Sequence, residues 1–339
     1  MAVIKQLVVW LSLVCVCKSY IDVPTIPPSF TVSLDDAPNV RWAAIVKKTK
    51  VPEELVPLAE LVAEKLDDFL EQPYADEMRG IATAAGMPLG DVVLTNLVYD
   101  ISAFCTSITM QDSKGQIWHA RNLDYSFTDI LRNITMKVDF TRQNKIAYSV
   151  VTYAGYVGVL TGQKPYGFAI TMDERDQGAW YENLIIALTD RRAKPAGFLM
   201  RDTVANASNF DEAVAMISDT DTMADGYFII SGAKPGEGAV VTRNRLGPPD
   251  VWKIDPEHGR WYEVETNYDH WTTPRPDDDR RDPAIKAMNA MGRQNVTVNN
   301  LFDVLSTPPV LNPTTTYSVV MSPAQPDIMK VMVRHVPKP

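Results

Sequence analysis

Beyond its first 17 residues this chain of 339 holds one cysteine, Cys105; the other two, Cys15 and Cys17, lie at the extreme N-terminus. One thiol cannot close a disulfide within its own chain, so the fold past the leader rests on its core alone. A solitary cysteine is either a small buried hydrophobe or a sulfur kept for its reactivity. Its neighbours, Ser102-Ala103-Phe104-Cys105-Thr106-Ser107, decide which reading to pursue.

Met1 to Ser19 reads as a secretory signal. Lys5 supplies the positive start, Leu7 to Cys17 the apolar centre, and Cys17-Lys18-Ser19 the cleavage site. The apolar run is short of the ~20 residues that a membrane span needs. Sequons at Asn133, Asn206 and Asn295 agree with export and glycosylation; Asn312 precedes Pro313 and is excluded. The remainder suits one large domain or two modest ones. The formal net charge is −9, and the leader carries Lys5 and Lys18 but no acid, so its loss makes the chain more acidic. That balance argues against a nucleic-acid partner and suits an acidic compartment, where protonation relieves self-repulsion.

Elements follow from spacing. Phe30–Leu34 alternates like a short strand. Pro52 with Glu53 and Glu54 starts a helix that carries Leu55, Leu58, Leu61, Val62, Leu66 and Phe69 at helical intervals. A second helix covers Tyr74–Ala85 and stops at Gly86; a third runs from Pro88 toward Tyr99. At Cys105 the texture changes. Cys105–Met110 alternates as a strand, Asp112–Gly115 turns, and Gln116–Arg121 returns, so Cys105 is expected to open a hairpin. Further strands are expected at 134–140, 146–153, 167–172, 226–231, 239–242 and 317–321, with helices at 180–188, 198–205, 210–217 and 284–291. The plan is a helical N-terminal third followed by sheets covered with helices.

Were the Phe104–Cys105 bond broken, Cys105 would carry an α-amine beside its own thiol. Such an amine titrates near ~7.7–8.0 and can serve as the base for its own side chain. The alternative is a dyad with a histidine. Of the four present, His119 is the one the hairpin brings near. The same hairpin delivers Arg121 and Asp124 to the strand tip. There an arginine favours thiolate and developing oxyanion, and an aspartate orients an amine.

These motifs carry a resemblance. Cys105-Thr-Ser, the Asp-Ser-Lys-Gly turn and His119-Ala-Arg-Asn-Leu-Asp-Tyr125 resemble the start of the mature large subunit in the acid ceramidase and N-acylethanolamine acid amidase family of N-terminal-nucleophile hydrolases. Co-linear agreement continues through 154–158, 161–163, Asp173-Glu-Arg-Asp176, Val264–Trp271 and Asp278-Asp-Arg-Arg281. Within that family, Glu174–Asn183 and Asn267–Trp271 look more like the amidase branch. Acid ceramidases bridge their subunits with a disulfide, which one mature cysteine cannot supply.

The resemblance implies an α+β fold, the αββα sandwich. It divides the chain into a signal peptide (1–19), a mostly helical small subunit (20–104) and a catalytic large subunit (105–339), the last two made by self-cleavage between Phe104 and Cys105. It implies Cys105 as nucleophile, Arg121 as polarising group, Asp124 as orienter of the amine, and Asn267 as oxyanion donor. Glu174 is implied as a carboxylate paired with an arginine, for which Arg280 and Arg281 are the candidates. It implies no cofactor and no metal, a lipid amide substrate met at a membrane or micelle surface, and residence in the lysosome. The leucine-rich helix at 52–69 is the candidate membrane contact. Other readings are a ceramidase or bile-salt-type amidase on the same chassis, a thiol hydrolase dependent on His119, and a secreted lipid-binding glycoprotein that turns nothing over.

Overall fold

A computed structural model describes residues 22–49, 71–98, 103–125, 127–175, 193–245, 247–276 and 278–337. The leader and the helices expected at 52–69 and 180–188 lie outside these residues.

Along the chain come β1 (Ser29–Ser33), α1 (Ala43–Val46), α2 (Tyr74–Ala85), α3 (Leu89–Val98), β2 (Ala103–Gln111), β3 (Ile117–Tyr125), α4 (Thr128–Ile134), β4 (Thr135–Arg142), β5 (Lys145–Tyr153), β6 (Thr161–Lys164) and β7 (Phe168–Glu174). Then follow α5 (Ala196–Asn206), α6 (Phe210–Asp219), β8 (Gly226–Gly232), β9 (Gly238–Arg243), β10 (Asp250–Lys253), β11 (Tyr262–Glu265), α7 (Arg281–Met291), α8 (Val298–Leu305), β12 (Thr315–Met321) and β13 (Met329–Val333). Helix α2 stops where Gly86 takes a left-handed conformation at φ 69°, which a glycine adopts without steric cost.

Two sheets result. The larger runs β1-β4-β5-β6-β7-β8-β9-β10 and the smaller β11-β2-β3-β12-β13. They pack face to face through β2 and β3 against β7 and β8, with α5 and α6 outside the larger sheet and α7 and α8 outside the smaller. That is an αββα sandwich.

Strand alternation sorts the residues of β2 and β3 between two layers. Ile108, Met110, Trp118 and Ala120 point outward and form a core with Met288, Leu301 and Leu305 of the covering helices. Each such apolar side chain, fully buried, contributes about 1.5–3 kcal/mol. Cys105 and Leu123 point inward, into a core with Met172, Ile170 and Val150 of the other sheet. The inner layer is unusual in being polar at its centre. Ser107, Thr109, His119 and Arg121 are buried there, and each of these side chains finds a hydrogen-bond partner across the sandwich, as buried polar side chains do.

Residues 22–98 are tied into this body at several points. β1 pairs parallel with β4. Arg334 pairs with Asp22 at 2.7 Å. Glu77 of α2, fully buried, accepts from both terminal nitrogens of Arg201 at 2.5 and 2.8 Å, from Trp42 Nε1 at 2.7 Å and from Arg41 at 2.9 Å. Burial works to raise the Glu77 carboxyl; Arg201, with Trp42 and Arg41, outweighs it and holds the group below the usual carboxylate range.

Candidate active site

Cys105 lies on β2 opposite Leu123 of β3, with Phe104 opposite Asp124 and Ser107 opposite Arg121. The strand begins at Ala103 rather than at Cys105. The Phe104–Cys105 linkage therefore lies within a paired strand of the uncut chain, a correction to the expectation that Cys105 opens the hairpin.

Every polar group of Cys105 is held. Its sulfur receives a bond from Arg121 Nη2 at 2.9 Å. Its amide N–H donates to Asn267 Oδ1 at 3.0 Å. Its carbonyl accepts from Arg280 Nη1 at 2.6 Å. Arg280 Nη2 donates in turn to Asn267 Oδ1 at 2.7 Å, so one arginine fixes both the carbonyl and the residue that holds the amide. Asn267 Nδ2 donates to the main-chain carbonyl of Glu174 at 2.6 Å. Asn267 reaches this place because β11 pairs with β2 with Glu265 opposite Ser107. Two residues further on, in the same antiparallel register, position 267 is level with position 105.

Arg121 reaches the Cys105 sulfur, and Asp124 lies on the other side of the strand. They are three residues apart on a strand, and odd separations put side chains on opposite faces. Arg121 shares the inner face with the sulfur. Asp124 lies on the outer face, where it accepts from Asn312 Nδ2 at 2.9 Å and from Arg280 at 3.4 Å. In the uncut chain Asn267, not Asp124, accepts from the Cys105 nitrogen. Of the two candidate arginines, Arg280 enters the site, and its carboxylate partners are Asp124 and Asp278. Arg281 donates to the main-chain carbonyls of Tyr268, Asp269 and Thr272. Glu174 joins the site through its main-chain carbonyl, which accepts from Asn267 Nδ2.

His119 is not a partner of the sulfur. Its ring is fully buried and bonds Ser231 Oγ through Nδ1 and Thr171 Oγ1 through Nε2, each at 2.8 Å. Burial, with help from Arg121, pushes it down to about 3, so the ring is neutral.

Sequence reasoning quoted Asp173 only as part of a motif; the structure places it beside the sulfur. It stands on β7 of the opposite sheet, 3.9 Å from Arg121 Nη2, and accepts from Ser107 Oγ at 2.7 Å. Nothing local in the sequence signals this, because the contact joins residues from different sheets. Burial raises Asp173 to about 7 against the pull of Arg121. Burial likewise pushes the Cys105 thiol up to about 12, with Arg121 pulling it down and Asp173 adding to the rise. Asp124 is also raised, mainly by burial.

The sulfur is sealed, with no exposed surface, while Phe104 is 37% exposed. Phe104, Asp124 and Arg280 line a cavity of about 510 Å³ together with Arg275, Asp278 and Asn312. Among the described residues no group of three or more His, Cys, Asp or Glu is placed to hold a metal ion.

A buried thiol in contact with an arginine, on a strand of a two-sheet sandwich, has known counterparts. Residues 105–292 match the profile of the linear amide C–N hydrolases, choloylglycine hydrolase family. The N-acylethanolamine-hydrolyzing acid amidase of Cavia porcellus is 45% identical over 325 residues, covering 91% of this chain and 91% of that protein.

The chain belongs to the choloylglycine hydrolase family of linear amide C–N hydrolases. It is an amidase with the N-terminal-nucleophile hydrolase fold. The acid ceramidase of Bos taurus is 36% identical over 327 residues, covering 87% of this chain and 83% of that one. The solved structure of a Caenorhabditis elegans N-acylethanolamine-hydrolyzing acid amidase ortholog superposes with a TM-score of 0.62 at 39% identity, over 68% of this chain and 99% of that chain.

Proposed function

We propose that this protein is an N-acylethanolamine amidase made as an inactive precursor that cuts itself between Phe104 and Cys105. The observation that carries this reading is Cys105 itself: a sulfur on a guanidinium, sealed from solvent, with its own amide held by Asn267 and its carbonyl by Arg280. A substrate cannot reach that sulfur while residues 103–104 continue the strand. Scission removes that obstruction and creates the missing base. The family profile match that begins at Cys105 supports the same reading.

In the first reaction the thiol gives up its proton and the sulfur attacks the Phe104 carbonyl carbon. The C–N bond breaks, the Cys105 nitrogen takes a proton, and a thioester remains. Water hydrolyses it, releasing a carboxylate at Phe104 and restoring the thiol beside a free amine. In turnover the sulfur attacks the amide carbonyl of an acyl ethanolamide. The Cys105 amine takes the thiol proton and delivers it to the leaving ethanolamine. Asn267 turns its carboxamide N–H to the oxyanion, a contribution of about 10²–10³ in rate. Arg121 steadies the thiolate, Asp124 and Arg280 fix the segment on its other side, and water clears the acyl-enzyme. The sequons at Asn133, Asn206 and Asn295 are all exposed, which supports a glycosylated, lysosomal protein. The lipid substrate calls for contact with a membrane or micelle surface. The N-acylethanolamine relatives, at higher identity than the ceramidases, favour an ethanolamide over a ceramide.

Intact mass and N-terminal sequencing of acid-incubated protein test the reading. The expected result is a second polypeptide beginning Cys-Thr-Ser-Ile, appearing together with palmitoylethanolamide hydrolysis that exceeds ceramide hydrolysis. Activity from a chain that remains whole would overturn it.

A further inference from the structure

Arg121 is fully buried and its donors are almost all spoken for. Nη1 bonds the Leu160 carbonyl and Thr161 Oγ1. Nη2 bonds the Met172 carbonyl at 2.7 Å and the Cys105 sulfur at 2.9 Å, and stands 3.9 Å from Asp173 Oδ1. A guanidinium nitrogen carries two hydrogens. One goes to Met172 and the other to the sulfur, so Asp173 meets the same cation by charge and not by hydrogen bond.

We propose that Asp173 and the Cys105 thiolate draw on the same Arg121 cation, so that ionised Asp173 holds the sulfur in its thiol form and a neutral group at position 173 favours the thiolate. Asp173 is thus a positioning residue that acts through Arg121. This rests on the self-scission reading for its biological use, and on geometry for its physics. Two anions sharing one buried cation cannot both be satisfied where solvent does not screen them.

The other groups facing Asp173 do not substitute for it. From β2 come Cys105 and the Ser107 hydroxyl, and Arg280 adds a weaker positive field from the start of α7. From β11 comes Glu265, whose carboxyl burial raises well above its usual range. From β12 comes Tyr317, a buried phenol raised by its surroundings and neutral. Asp173 is therefore the carboxyl on the sulfur's face whose charge changes on passing from a neutral to an acidic compartment, consistent with its rise to about 7.

The test uses the whole chain as wild type, Asp173→Asn and Ser107→Ala, each held at about pH 5 and about pH 8, values on either side of the Asp173 titration. Scission is followed on denaturing gels. The thiol is followed by ultraviolet thiolate absorbance against pH, with the Cys105→Ala chain as blank. Asp173→Asn, which mimics the protonated carboxyl, is expected to cut faster than wild type at about pH 8, and its thiolate to form at a pH lower by about one unit or more, a tenfold change in the equilibrium. Ser107→Ala removes the hydroxyl that holds Asp173 down, so its scission extends toward neutral pH by a smaller step. A merely structural aspartate yields loss of cutting, not gain at neutral pH. The proposal is overturned if the Asn variant keeps the wild-type thiol titration, or if it cuts no faster than wild type at about pH 8. Wild type that stays whole at both values sinks the self-scission reading instead, and the thiol titration still decides the role of Asp173.

Discussion

At Cys105 the chain has traded accessibility for grip. The sulfur, amide and carbonyl each have a dedicated partner, and two of the three groups that hold them, Asn267 and Arg280, come from outside the hairpin. His119 shows how far chemistry and proximity can part. It is on the adjacent strand and on the same face, yet both ring nitrogens are occupied by Ser231 and Thr171. His119→Gln should therefore leave scission and amide turnover near the wild-type rates. The cost should appear in stability, about 1–3 kcal/mol for the hydroxyls left unpaired. Urea midpoints measured beside initial rates check this; a chain of normal stability that has lost turnover would reinstate the histidine as base.

At the scale of elements, helix α2 lies so close to the turn at 38–40 that its Gly80 leaves no room for a side chain. A Cβ there would stand 2.1 Å from the carbonyl oxygen of Asn39 and 2.6 Å from its carbon, both backbone atoms. Gly80→Ala should push the helix away, at about 1–3 kcal/mol for overpacking, and drag Glu77 from Arg201. On size exclusion after scission, the small piece should separate from the large one more readily than in wild type; co-elution unchanged from wild type would show that the helix can shift freely. This same helix was legible in the sequence, because its apolar spacing, and the glycine that ends it, are local signals. So were β2 and β3, where alternation and the Asp-Ser-Lys-Gly turn agree. Strand β11 was not: Val264 and Glu265 read as part of a motif and Tyr262 and Glu263 as nothing, and only pairing with β2 makes the four a strand and puts Asn267 level with Cys105. Helix α8 was missed although Thr297 caps it by accepting from Asn300 N–H, a signal that Leu301, Phe302, Val304 and Leu305 reinforce. Of the site, the nucleophile, Arg121 and Asn267 were readable through motifs. The opposite faces of Arg121 and Asp124 follow from strand parity. Asp173 required knowledge of which strands face each other, which no local pattern holds.

For the whole molecule, the buried carboxyls set a preferred pH. Asp124, Asp173 and Glu265 are all raised in the folded state, chiefly by burial. In the unfolded chain such groups ionise near ~4. Below that pH both states are protonated and folding is not penalised. As pH climbs from there through the folded values, the unfolded state sheds protons that the folded state retains, and stability falls. Glu77 acts in the other direction. Its carboxyl is depressed by Arg201, so the anchor between residues 22–98 and α5 is intact above ~4 and is lost only as pH drops through its folded value. The two trends together place the stability maximum on the acid side of neutrality, at about pH 4–6, with the anchor still charged. Thermal midpoints recorded from about pH 3 to about pH 9 should rise and then fall around that maximum, and Asp173→Asn should flatten the alkaline limb because it has no charge to bury. A midpoint that climbs steadily through neutral pH would mean that these carboxyls are ionised in the fold, and that the buried layer between the sheets is wetter than its packing indicates.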